Sequence, residues 1–222
     1  MNMKDLSIIQ EYTILAVNKK GKIPALCTEK AVCFVAAGIL ELRLEKCISI
    51  DGKKLTVIGE FPANRQHLKP LYDFIAQKAP VKLEKVVEAY NFSLTGKRSV
   101  QLMESVGGSL VQLNLAQEGR GGLFGLGNKK SYIPTQEAVR LAVEMLRAEL
   151  LEDGEITEEA AALVILLERS KCLKFYFSQY EQKEMKKKLQ QIIDSPEGRL
   201  VKDLVSHIEI LVAAAASSAA SV

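Results

Sequence analysis

The sequence predicts a mainly α fold: a single-domain multi-helix bundle with small peripheral β-hairpins. Three observations lead there. Leu, Ala, Val, Ile, Lys and Glu dominate, while aromatic residues make up 6% with no Trp, a composition of packed helices rather than of a β-sandwich. Apolar residues recur at helical spacing along most of the chain. The two stretches that break this spacing are short, β-prone and turn at glycine, and no interdomain linker is evident, so one domain is expected over residues 1–222.

Ser7 opens the first helix, with Gln10 three residues on in a capping-box arrangement. Ile8, Ile9, Tyr12, Leu15 and Ala16 form its apolar stripe, which ends at Asn18-Lys19-Lys20-Gly21, so a short, half-buried helix is expected. A second helix follows Thr28 and is apolar on nearly every side until Glu41, Arg43 and Glu45, which places it in the middle of the bundle. Cys47-Ile48-Ser49-Ile50 and Leu55-Thr56-Val57-Ile58 flank Asp51-Gly52 and read as a β-hairpin. Helical patterning resumes over residues 68–78, breaks at Pro80 and continues through Leu83, Val86, Val87 and Tyr90. The next helix carries Leu102, Val106 and Leu110 around Gly107-Gly108. Glycines inside a helix cost about 1 kcal/mol each relative to alanine, so this pair is expected to mark a bend or a close crossing.

Residues 119–134 are the least helical part of the chain and read as a loop or second β-hairpin turning at Gly127-Asn128. Thr135 then caps a helix that stops at Asp153-Gly154. A long periodic pattern starts at Thr157 and runs to Ile193. Its length implies two helices, with the break expected at residues 170–178. Residues 200–216 form a last apolar helix, and residues 217–222 are expected to fray.

Composition narrows the function classes. A chain of 222 residues buries roughly 70% of its unfolded surface and needs no staple. The 30 Lys plus Arg against 27 Asp plus Glu are too balanced for a dedicated nucleic-acid binder. Cys27, Cys33, Cys47 and Cys172 contain no C-x-x-C pair and lie far in sequence from His67 and His207, so no metal site is expected and the cysteines read as small buried hydrophobes. His67 reads as a surface or cap residue and His207 as an interior or boundary one. With no P-loop and no G-x-S-x-G, neither an enzyme nor a cofactor is expected, and no catalytic residue is assigned. Met1-Asn2-Met3-Lys4-Asp5 lacks the features of a signal peptide, and the apolar runs fall short of the ~18–20 residues that span a bilayer, so the protein is expected in the cytoplasm.

Leu6-Ser7 with Gln10-Glu11, then Ile14-Leu15-Ala16-Val17, Gly21, and the helix end Gly38-Ile39-Leu40-Glu41-Leu42-Arg43-Leu44-Glu45-Lys46-Cys47-Ile48, in this order, resemble the Golgi phosphoprotein 3 family of peripheral membrane proteins. Residues 68–89 resemble the family's two helices joined at proline, residues 114–119 its helix end, and residues 122–135 stand in the place of its apolar β-hairpin. The resemblance spans residues 6–215 and implies a helical bundle with peripheral hairpins. It also implies binding of phosphatidylinositol 4-phosphate at a basic pocket, as in eukaryotic members, and a hairpin used for membrane insertion or self-association. The family pocket's tryptophan and arginines correspond here to Leu26, Val35, Ser105 and Gly108, so that pocket is not carried over.

The hairpin has a logic of its own. Leu123, Phe124 and Leu126 are apolar residues flanked by Arg120 on one side and Lys129 and Lys130 on the other, a pattern suited to acyl chains beside anionic headgroups. The leading expectation is peripheral attachment to the cytosolic face of a membrane, with Arg120, Lys129 and Lys130 at lipid headgroups. The alternative is a protein-protein interaction module in which Leu123, Phe124 and Leu126 pack on the chain's own core or on a second copy in a homo-oligomer. A weaker third is a winged-helix-like nucleic-acid binder, although no recognition helix with several Arg or Asn on one face is present. Lys183, Lys186, Lys187 and Lys188 read as the solvated face of a helix.

Overall fold

Helix α1 (Ile8–Ala16) runs through the centre of the protein, and each of its nine residues is buried in the computed structural model. The structure describes residues 6–24, 27–93, 95–121, 129–152, 156–195, 202–203, 205–210 and 212–213. Around α1 pack α2 (Thr28–Leu44), α5 (Lys97–Gln112), α6 (Gln136–Leu151) and α7 (Glu158–Arg169). The half-buried first helix expected from its stripe is thus corrected: Gln10, Glu11 and Thr13, on the polar side of that stripe, are also interior.

A helix surrounded by protein must have its end groups satisfied by other side chains, because water does not reach them. At the N-terminus, Gln10 Oε1 accepts from the Ser7 N–H at 3.0 Å within the capping box, and Glu41 Oε2, from α2, accepts from the Ile8 N–H at 2.6 Å. The carboxylate also lies at the positive end of the helix dipole. At the C-terminus, the Tyr176 hydroxyl donates to Leu15 O at 2.8 Å and Lys30 Nζ to Ala16 O at 3.0 Å. Three residues from outside α1, Glu41, Lys30 and Tyr176, therefore hold its ends in place.

The remaining elements follow the expected order. Strands β1 (Ile48–Asp51) and β2 (Lys54–Val57) form the first hairpin, with Gly52 at φ +55 in its turn. A third strand, β3 (Val81–Lys82), pairs antiparallel with β2, so the hairpin is the core of a small sheet. Its two residues are too short to show a period of their own. Helices α3 (Lys69–Lys78) and α4 (Leu83–Asn91) flank it. Thr135 caps α6 through Oγ1, which accepts from the Ala138 N–H at 3.1 Å. The break between α7 and α8 (Gln179–Asp194) falls at a single 3-10 turn over Leu173–Phe175, inside the expected interval. The expected stop at Asp153-Gly154, the turn at Gly127-Asn128 and the fraying of residues 217–222 lie outside the described residues.

The late lysine cluster is a solvated face at Lys183, Lys186 and Lys187, while Lys188 is half-buried. Lys188 Nζ donates to the carbonyls of Glu149 and Glu152 and so closes the C-terminal end of α6, while Lys186 pairs with Glu168.

Candidate functional site

The second hairpin is built from β4 (Ala116–Gly121) and β5 (Lys129–Pro134), joined in antiparallel register from Ala116 opposite Pro134 to Gly121 opposite Lys129. Its base is locked to the bundle by Tyr132, which is 2% exposed. The Tyr132 N–H donates to Gly21 O at 3.0 Å, and Gly21, at φ +66, leaves no room for a Cβ against the Tyr132 backbone. Gly107 does the same for the ring, since a Cβ there would overlap it. Of the two readings for Gly107-Gly108, Gly107 is therefore the close crossing.

From that base the strands carry the cations to the other end of the ladder, where Arg120 stands opposite Lys130 and Gly121 opposite Lys129. Lys130 is exposed and lies 3.1 Å from Glu118, an exposed pair that contributes at most about 1 kcal/mol. The structure thus brings Arg120, Lys129 and Lys130 to one end of one hairpin. Leu123, Phe124 and Leu126, which the sequence places between the strands, lie outside the described residues.

A second region, around the N-terminus of α1, was not expected. His67, read from sequence as a surface or cap residue, is buried, with Nε2 2.8 Å from Ser7 Oγ. Gln10 Nε2 donates to Ser109 Oγ at 2.9 Å. His67, Gln10 and Ser109 line a cleft of about 730 Å³ that also includes Ser105 and Gly108, two of the positions that stand for the family's basic pocket. Val35 is instead buried within α2, and Leu26 lies outside the described residues. Its lining mixes neutral amides and hydroxyls with Arg65 and Glu104, and Arg65 is engaged by Glu41 and Glu45.

The Ser7–His67 contact has the residue types of a nucleophile and its base, yet its chemistry is that of a structural pair. Burial, helped by the nearby Arg65 charge, pushes His67 down to about 4, which makes it a weak base at neutral pH. Among the described residues no carboxylate bonds its other ring nitrogen.

On the other side of Arg65 stand two buried carboxylates, Glu11 and Glu41, with Glu45 half-buried beside them and Glu159 exposed at the rim. Arg65 Nε lies 3.0 Å from Glu41 and 2.6 Å from Glu45. Burial raises Glu41 to about 7 despite the opposing pull of Arg65 and the Ile8 N–H. Burial raises Glu11 further, to about 8, with Glu41, Glu149 and Glu159 adding repulsion. The only sequence signal for this cluster was the polar residue Glu11 inside an otherwise apolar helix. Its partners lie on α2, α6 and α7, beyond the reach of local spacing.

A bundle threaded by one enclosed helix, with a glycine-locked hairpin at its edge, is the mainly α fold with peripheral hairpins that the resemblance implied. The model of the Golgi phosphoprotein 3 (GPP34) family matches residues 8–208, from the first residue of α1 to the last described turns, and the chain belongs to this family. No curated protein matches the sequence. Among the described residues, no helix is long and apolar enough to cross a membrane.

Proposed function

We propose that the protein is a peripheral membrane-binding module, not an enzyme, that attaches to anionic phospholipid on a cytosolic membrane face through the β4–β5 hairpin. The observation that carries this reading is the register of that hairpin. Arg120 and Lys130 occupy one rung, with Lys129 on the next, beyond a base fixed by Tyr132. Cations gathered at one end of one ladder are drawn to an anionic surface. Each basic residue near such a surface contributes about 1 kcal/mol, and each large apolar side chain removed from water adds about 1.5–3 kcal/mol. Leu123, Phe124 and Leu126, adjoining these cations in sequence, supply the apolar part. Family membership supports the same reading. The ligand is the anionic headgroup layer and not a phosphoinositide seated in the cleft, because Ser105 and Gly108 carry no charge there and Arg65, at its edge, is already engaged by Glu41 and Glu45.

Co-sedimentation with vesicles tests this. The protein is expected to pellet with vesicles containing phosphatidylglycerol or phosphatidylinositol 4-phosphate, and to stay in solution with phosphatidylcholine alone. Phe124→Asp is expected to abolish pelleting. Binding that survives Phe124→Asp would remove the hairpin from the reading. A tight dimer that binds no lipid and is split by Phe124→Asp would replace it with self-association.

A further inference from the structure

The carboxylates beside Arg65 enclose a cavity of about 310 Å³, at the small end of ligand-sized sites. Glu11, Glu41, Glu45 and Glu159 line it, against Arg65 as its single cationic side chain among the described lining residues. Arg65 is shared between Glu41 and Glu45. The Glu11 side chain has no such partner: the residue is 9% exposed and lines the cavity, and its carboxyl makes no hydrogen bond or ion pair to any described residue. The Glu11 carboxyl therefore opens on the cavity, where it offers an unpaired acceptor to a ligand that brings N–H donors. The remaining walls include Leu6, Leu44 and Met145, an apolar side to an acidic chamber.

We propose that this cavity binds a small alkyl primary ammonium ion, whose N–H donors reach Glu11 and Glu159 while its methylenes lie against Leu44 and Met145. The acidic lining selects a cation. The described residues hold no group of three or more Asp, Glu, His or Cys side chains converged closely enough for a metal ion, so a cation with directed donors and an apolar stem fits better. An ammonium offers three donors to separated carboxylates, as a compact point charge suited to a small chamber. Because burial and the neighbouring Glu41, Glu149 and Glu159 keep a proton on Glu11 near neutral pH, binding of the cation releases that proton as the carboxylate forms. The proton goes to bulk buffer, and no covalent bond changes. By linkage, binding tightens as pH rises toward 8.

Butylammonium chloride is the probe, titrated into the full chain by calorimetry at pH 7 and pH 8 in buffers of different ionisation heat. Tetramethylammonium chloride, which has no N–H donor, and magnesium chloride serve as controls. Saturable one-to-one binding with a Kd of about 1 mM or tighter is expected, with net proton release and at least about tenfold weakening in Glu11→Gln. No saturation by about 10 mM overturns the proposal, as does an equal response to tetramethylammonium or magnesium, or an unchanged affinity in Glu11→Gln. Should Glu11→Gln fail to fold, the carboxyl carbon resonance of Glu11 in the native chain decides. Its titration midpoint is expected to fall by about one pH unit or more with saturating butylammonium, and an unmoved midpoint overturns the proposal.

Discussion

Gly107 lies against the ring of Tyr132 so closely that a Cβ on the glycine would overlap the ring carbons. This contact couples the middle of α5 to the base of the β4–β5 hairpin, and it explains why a glycine that costs a helix about 1 kcal/mol is found there. Its neighbour Gly108 faces open space, with nothing within 4 Å of a built Cβ.

The two adjacent glycines should therefore respond in opposite directions. Gly107→Ala is expected to destabilise the protein by about 1–3 kcal/mol, through overpacking against Tyr132. Gly108→Ala is expected to stabilise it by up to about 1 kcal/mol, through helix propensity alone. Urea unfolding of both variants checks this, and equal effects at the two positions would contradict the Gly107–Tyr132 account.

The buried carboxylates set a pH dependence. Glu11 at about 8 and Glu41 at about 7 bind protons in the folded state that they have lost in the unfolded state above the ordinary value of 4.5. The folded state thus holds more protons between 4.5 and 8, and stability falls as pH rises through that window. His67, held at about 4 against an ordinary 6.5, acts in the opposite sense and costs stability as pH falls from 6.5 to 4. Two carboxyls outweigh one histidine throughout this window, so these groups place maximal stability below about pH 5, with a decline from there to pH 8. Each excess bound proton corresponds to about 1.4 kcal/mol per pH unit, so Glu11 alone accounts for a loss on the order of 2 kcal/mol between pH 6.5 and 8. Thermal unfolding across pH 5 to 9 should show this decline, and Glu11→Gln should flatten its alkaline side.

Arg65 is the counter-ion of Glu41, whose side chain is 5% exposed. Arg65→Met should cost about 3 kcal/mol at pH 8, where the remaining carboxylate is charged and buried. The cost should shrink at pH 6, because Glu41, already at about 7, is then neutralised by a proton. Denaturant titrations at the two pH values measure the difference. A loss independent of pH would assign the role of Arg65 to packing.

Where a single short segment decides, the sequence was legible. The Asp51-Gly52 turn, the Thr135 cap and the break before α8 rest on local backbone chemistry, and the structure has each of them. The burial of α1 was not legible. Its interior polar residues resemble a solvated face until Ser109, Glu41, Lys30 and Tyr176 arrive from other parts of the chain. His67 was misread for the same reason, since its partner Ser7 is 60 positions away. The cations Arg120, Lys129 and Lys130 were legible as a cluster because one hairpin carries them all.

The absence of tryptophan from the chain makes the membrane reading directly measurable. Phe124→Trp introduces one fluorophore at the position assigned to the acyl boundary. With phosphatidylglycerol vesicles its emission is expected to shift to the blue and to be quenched by brominated acyl chains. Neither change should occur with phosphatidylcholine alone, and Arg120, Lys129 and Lys130 changed together to Glu should abolish both. An emission unchanged by anionic vesicles, or one already blue and insensitive to brominated lipid, would contradict attachment through this hairpin.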